Sequence, residues 1–491
     1  MNFIDQEQEL RRDIPLVMGS ADFREYADQL ERIDRLLVQS GMEARFVGAR
    51  MAAWEQSHRR AGTRARLRHQ LICMQALRMG IARQLTEREY RKFAMRLAES
   101  FVLQRFCRVG CVEGVRVPSK STLERYDKLA PEGEIRELVG ALLRMTSGGD
   151  HVRLGLEAEV GVEVLLVDST CLKANIHFPT DWVLLRDGVR TLMKAVKLIR
   201  REGLRHRMEE PEVFLREINR LSIEMTQSRR APDSVKRRKQ VLRRMKRLVK
   251  VVRRHAERYV ALLKGEWGRT DWTQAQARQV WRRMEGVVEQ LPGAVRQAHE
   301  RLIGRRLVPN EEKMLSLYEP DVRVIVRGKA GAEVEFGNTL YVGEQQDGLI
   351  VDWKLLRETS RGDGPLLEES LTRIQEAVGQ YPVAVGADRG FDRAATRRVL
   401  RKHGILNGIC PRSVPDLHER MQEEGFADIQ RRRAQTEGRI GILKNDFLGP
   451  VLRNKGFESR EREVAWAVLA HNLWVLARML RAQEKERKEA A

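Results

Sequence analysis

The chain has 491 residues, 42% of them hydrophobic, and its 91 Lys and Arg outnumber its 69 Asp and Glu to give a formal charge of +22. That length exceeds one ordinary domain, so a core with at least one accessory module is expected, and the cationic excess points to a polyanionic partner, nucleic acid first. No long apolar span and no charged-then-apolar leader is visible, which argues against a membrane or secreted protein and for a soluble, cytoplasmic one.

Five cysteines, at 73, 107, 111, 171 and 410, are too few and odd in number for a disulfide framework, so a reducing compartment is expected. Cys107 and Cys111 lack a second Cys or His pair at ligand spacing and read as buried helix packing, not as a zinc site.

Residues 1–150 read as helical. Phe23, Tyr26, Leu30, Ile33 and Leu37 recur at spacings of three and four, the mark of one apolar face, and further helices are expected over 62–80 and 86–107. Pro118-Ser119-Lys120-Ser121-Thr122 then precedes a short basic helix with a hydroxyl cap. Such a helix, opened by Lys120, could enter a DNA groove or be an ordinary member of an all-α bundle.

From Gly161 the pattern becomes a short Val/Leu run that suits a strand buried on both faces and is expected to end at Asp168. Helical patterns follow over about 183–304, with loops expected at Gly265 and Pro292, and read as an insertion. Inside it Leu242, Met245, Val249, Val252, Ala256, Tyr259 and Leu263 alternate spacings of three and four, as along a helical-hairpin or coiled-coil seam. The stretch from Arg229 to Arg254 holds one acid, Asp233, among many cations including Lys236, Arg237, Arg238 and Lys239. A face so nearly free of acids loses self-repulsion on meeting phosphates, so DNA-backbone contact is favoured over a merely solvated face. Trp182 could stack on an unpaired base, but packing is the plainer reading, and His177 reads as a structural histidine.

Strands resume with Val322, Val324 and Val326, then 334–342 and 349–355, with Asp347-Gly348 as a tight turn. A helix over 366–379, a buried strand over 383–387 ending in Asp388, a helix over 392–402 and a strand over 405–410 follow. The chain closes in helices from about 428 to 482, broken near Gly449 and Pro450.

Two buried strands that each deliver an aspartate are the main clue, because carboxylates avoid such places unless paired or metal-bound. If Asp168 and Asp388 lie on neighbouring strands, they can converge on hard cations such as Mg²⁺. Glu437 is the third acid; at about 100° per residue Arg433, Glu437 and Lys444 fall within roughly 40° on one helix face. Taken singly, a strand-end aspartate capping a turn, or a salt-bridged helix, would explain each of them.

These residues carry a resemblance. Val167-Asp168-Ser169-Thr170, Ala387-Asp388-Arg389-Gly390-Phe391 and Arg433-x3-Glu437-x6-Lys444, in that order, resemble the three motifs of the insertion-sequence DDE transposases, in the branch around the ISNCY group; Asn175 to Asp181 and Leu185 to Arg190 also look like this branch. The resemblance covers about 86–480, and it departs at Gln430, where the family often has a tyrosine.

The resemblance implies an α/β fold with an RNase H-like (retroviral-integrase) catalytic core, a mixed sheet flanked by helices, over 160–182 and 311–482. Around it would sit a helical DNA-binding domain over 1–150, a basic helical insertion over 183–310 and a charged tail over 483–491. It implies two Mg²⁺ ions, replaceable by Mn²⁺, held by Asp168 as shared ligand with Asp388 and Glu437, and in-line displacement at a phosphodiester without a covalent enzyme intermediate. Arg433 and Lys444 would bind phosphate near the scissile bond; Arg389 would do the same or serve as partner to a nearby acid. DNA, as terminal inverted repeats and target, is the implied partner, with a homodimer pairing two ends in a prokaryotic, nucleoid-associated setting. A catalytically dead DNA-binding derivative, or an RNase H-like nuclease or resolvase without strand transfer, are the competing functions.

Overall fold

A computed structural model describes residues 17–109, 115–230, 232–329, 332–358 and 362–490. Cys111 and the first sixteen residues of the expected N-terminal domain lie outside the described residues.

The chain begins with helices α1 (Ala21–Gln39), α2 (Met42–Ser57), α3 (Thr63–Leu85), α4 (Tyr90–Glu99), α5 (Phe101–Phe106), α6 (Lys120–Asp127) and α7 (Glu132–Thr146). On α1 the spacing buries Leu30, Ile33 and Leu37, but Phe23 is exposed: it sits in the first turn, beyond the helices that cover the rest of the stripe. The single helix expected over 86–107 is two, because Ser100 leaves helical geometry and caps α5 by accepting a bond from the Leu103 amide.

Strand β1 (Val164–Lys173) opens the sheet. The insertion follows as α8 (Asp181–Arg201), α9 (Pro211–Gln227), α10 (Ser234–Glu266) and α11 (Gln274–His299). These helices bury a hydrophobic cluster of their own, in which every residue of the predicted seam from Leu242 to Leu263 is buried. Pro292 does not break the chain there; it lies within α11, whose neighbours hold the helix across a missing backbone donor.

The meander β2 (Arg323–Lys329), β3 (Ala332–Gln345) and β4 (Ile350–Leu355) follows, then α12 (Gly364–Val378), β5 (Ala384–Ala387), α13 (Ala394–Lys402), β6 (Leu406–Ile409) and α14 (Val414–Arg420). Gly348, at φ 99°, supplies the left-handed residue that the β3–β4 turn requires. Helix α15 (Phe426–Ile442) runs on through a π-helical segment, Leu443–Leu448, and α16 (Phe457–Ala490) closes the fold, so the stretch read as a charged tail continues a helix.

The sheet order is β2-β3-β1-β5-β6, with β4 also on β3. β1 runs antiparallel to β3 and parallel to β5, and β5 runs parallel to β6. This mixed sheet flanked by helices is consistent with an RNase H-like core.

Asp168 does not end its strand. β1 stays bonded to β3 from Leu165↔Gln345 to Lys173↔Gly337, whereas its pairing with β5 stops at Leu166↔Gly386. Hydrophobic pattern alone could not distinguish loss of one neighbour from the end of the strand, since both bring polar residues.

One hydrophobic cluster runs from Leu30 on α1 through the sheet to Leu480 on α16, so the N-terminal helices and the core share an interior. Gly80 on α3 lets Trp466 of α16 lie where a Cβ would meet its ring at 2.6 Å. Beside it Arg83 donates to both oxygens of Glu463 at 2.9 and 2.7 Å, a fully buried bidentate pair. Among the described residues no helix is long and apolar enough to cross a membrane.

Candidate active site

Continuing the parallel register beyond Leu166↔Gly386 by two residues sets Asp168 beside Asp388. Both are half-buried. The Asp168 carboxylate accepts from the Ser169 amide at 2.7 Å, and the Asp388 carboxylate from the Gly390 amide at 2.8 Å, so the backbone holds each in place.

Helix α15 brings the third acid. Ile429 packs on two glycines, where a Cβ on Gly386 of β5 or Gly408 of β6 would meet its Cγ2 at 2.7 or 2.5 Å. Gln430 donates to the carbonyls of Gly408 and Ala387, fastening the helix to the residue before Asp388, and accepts from Arg433 Nε at 3.3 Å. The residue that departs from the family pattern therefore orients the arginine. Two turns on, Glu437 stands exposed over the strand ends.

Electrostatics register the convergence. Asp168 is pushed up to about 6, chiefly by burial and further by Asp388 and Glu437, against the Ser169 amide and Arg433. Two acids and one arginine from distant parts of the chain thus act on the Asp168 carboxyl.

Lys444 lies in the π-helical segment, where the 3.6-residue period used to place it fails. It still reaches the site: its Nζ donates to Thr170 Oγ1 at 3.0 Å, two residues past Asp168.

Asp363 was not foreseen. It occupies the N-cap of α12 without capping it, and its carboxylate instead accepts from Ser169 Oγ at 3.3 Å. A Cβ on Gly390 would meet Asp363 Oδ2 and Asp388 Oδ1 at 2.9 Å each. Burial and then Asp388 raise its pKa. In the sequence it sits between two glycines before Gly364-Pro365, the pattern of an ordinary turn and cap, so only the fold reveals it.

Glu344, opposite Leu166 on β3, is buried and pushed up to about 7 by burial, with Arg439 of α15 at 3.7 Å opposing.

Of the other candidates, Arg389 follows Asp388 directly, and no contact of Lys120 or of the α10 cations with the three acids is seen among the described residues. Arg389 is exposed, with no carboxylate partner among the described residues. Lys120 is exposed and pairs with Glu124 at 3.1 Å along its own helix. On α10, Lys236 and Arg237 are exposed, Arg237 pairs with Asp233 at 3.1 Å, and Arg238 lies 5.4 Å over the ring of Trp182, which is itself core. Lys239 is half-buried beside Lys236. A cleft of about 1200 Å³ walled by α8, α11, the segment after β1 and the loop before α16 is lined by none of the three acids.

Asp388 and Glu437 both raise the pKa of the half-buried Asp168, and a hard cation bound among these acids would relieve that repulsion. Asp168, Asp363, Asp388 and Glu437 line an acidic rim, and among the described residues no group of three or more His, Cys, Asp or Glu side chains is close enough to hold a metal ion as it stands.

Residues 344–473 match the family described as Transposase DDE domain. The matched stretch holds Asp363, Asp388, Arg433, Glu437 and Lys444 but not Asp168, which joins them through the pairing of β1 with β3 and β5. Neither the curated proteins nor the solved structures yielded a match. The chain carries a transposase DDE domain, the catalytic domain of the insertion-sequence DDE transposases.

Proposed function

We propose that the chain binds the ends of an insertion sequence and catalyses phosphodiester cleavage and transfer of the freed 3′-hydroxyl to target DNA. The observation that supports this is that Asp388, Glu437 and Arg433 all act on the Asp168 carboxyl, just past the end of the β1–β5 pairing.

Asp168, Asp388 and Glu437 would hold two Mg²⁺ ions, or Mn²⁺ in their place. Bound there, such ions lower the pKa of an attacking water or hydroxyl and stabilise the leaving oxygen. The chain's own groups do the rest. The Ser169 and Gly390 amides orient the two aspartates. Arg433, steadied by Gln430, and Lys444, held by Thr170, present cations at the rim where a scissile phosphate must sit.

Lys236 and Lys239 on α10, with Lys120, would contact backbone phosphates away from the chemistry, and Arg389, next to Asp388, would contact phosphate near the scissile bond. Two ends must be paired, so a dimer forms in the DNA complex. The Asn175–Asp181 stretch supports the ISNCY-like branch.

The test is a strand-transfer reaction with labelled candidate element ends and supercoiled target in Mg²⁺. Wild type should cut and join, while Asp168→Asn, Asp388→Asn and Glu437→Gln should bind ends normally and do neither. Cutting without joining would make the protein a nuclease on this fold; binding without cutting would make it an inactive derivative.

A further inference from the structure

The cleft of about 1200 Å³ away from the acids has walls from α8, α11, the segment after β1 and the loop before α16. Its lining includes Arg190, Lys194, Arg282, Arg283 and Lys455, and among the described residues none of these five is ion-paired to a carboxylate. Elsewhere on the insertion, cations such as Arg200, Arg220 and Arg244 are matched to acids. Unmatched cations facing each other across a cleft repel, and a polyanion removes that repulsion.

The same cleft presents an aromatic where a soluble fold would hide one. Phe178 is 77% exposed, and Phe336 buttresses it edge-on, with ring centroids 5.8 Å apart at 78°. Across the lining Tyr318 is 44% exposed, its hydroxyl donating to the Asp187 carbonyl at 3.1 Å. An open aromatic face in a basic cleft matches bases whose faces are free, those of a single strand; the bases of a duplex are already stacked on one another.

Strand β1 links this cleft to the acids. Asp168 lies in the strand, and Asn175 and Phe178, just beyond its end, line the cleft, at most roughly 25 and 35 Å along the chain from it.

We propose that this cleft binds an unpaired DNA strand, with Phe178 as the stacking platform and Arg190, Lys194, Arg282 and Arg283 along the backbone. This rests on the reading of the chain as a DNA-cutting transposase. The insertion thereby acquires two nucleic-acid surfaces: the outer face of α10 for duplex backbone, and the cleft between α8 and α11 for a strand that has left the duplex.

The experiment measures binding of the full-length protein to fluorescein-labelled oligodeoxythymidylate of about 20 nucleotides and to a duplex of equal length, across a salt series. Phe178→Ala should weaken single-strand binding about tenfold and leave duplex binding unchanged, while Phe178→Trp retains both. Arg282→Gln with Arg283→Gln should lower the single-strand salt slope by about 1.4. A 5-iododeoxyuridine probe should crosslink to Phe178. Single-strand affinity unchanged in Phe178→Ala, equal loss on both probes, or no single-strand binding by wild type would each overturn the proposal. Cleavage of element ends by the same preparation separates the two readings: a protein that cuts but fails these tests refutes only the cleft assignment.

Discussion

Lys444 Nζ stands 3.0 Å from Thr170 Oγ1, joining the segment after α15 to the strand that carries Asp168. This bond places a cation beside the acids although a π-helical segment interrupts the helix on which it was expected to lie. Lys444→Ala should slow cleavage by about 10- to 100-fold, the scale of one charge-assisted hydrogen bond to phosphate, without lowering thermal stability. Thr170→Val, which keeps the shape and removes the acceptor, should cost only a few-fold. Single-turnover cleavage measures both; equal rates for Lys444→Ala and wild type would remove Lys444 from the site.

Asp363 faces Asp388 and accepts from Ser169, so it belongs to the acidic rim and not to the cap of α12. Asp363→Asn should reduce cleavage at least tenfold and raise the Mg²⁺ concentration needed for half-maximal rate, while end binding stays constant. A metal titration with unchanged midpoint and rate would return Asp363 to a structural role.

Glu344 gives a pH signature. Burial raises its carboxyl from 4.5 to about 7 against the pull of Arg439. Because the folded value lies above the unfolded one, the folded state holds the extra proton. The stability linked to this group is complete below about pH 4.5 and lost as pH rises through about 7. Glu344→Gln should therefore match wild type near pH 4 and exceed it near pH 8, by at most roughly 3 kcal/mol. Urea denaturation of both proteins across that range is the check, and a gap that does not grow with pH contradicts it.

The seat of α15 is tight at Gly386, where a Cβ would meet Ile429 Cγ2 at 2.7 Å and Leu166 Cδ2 at 2.8 Å. Gly386→Ala should destabilise the fold by about 1–3 kcal/mol and cut activity further than stability, since the same displacement carries Arg433 and Glu437 away from the aspartates. Ile429→Ala in the same chain should restore part of both. Failure of that second substitution to rescue would mean that Leu166, not α15, absorbs the clash.

The three acids were legible as motifs because each sits at a patterned place: a Val/Leu run for Asp168, another for Asp388, and an Arg-x3-Glu spacing for Glu437. The helical seam of α10 was legible for the same reason, since a periodic apolar stripe is a local property. Phe23 and Pro292 misled because local pattern does not say where a neighbouring helix stops, or whether one covers a missing hydrogen bond. Asp363 and Gln430 were opaque as site residues: a turn aspartate and a helix glutamine are commonplace, and their roles depend wholly on what lies opposite.

The sequence by itself determined the kinds of element, the order of the acidic motifs and the cationic character of the insertion, because periodicity, charge and residue type are properties of neighbours along the chain. Only the tertiary structure decided that β1 loses β5 at Leu166 while keeping β3, that Gly386 and Gly408 let α15 descend onto the strand ends, and that a fourth carboxylate joins the rim. Those outcomes depend on pairing and close packing between segments far apart in sequence, where a missing Cβ or a single register sets the distance between charges.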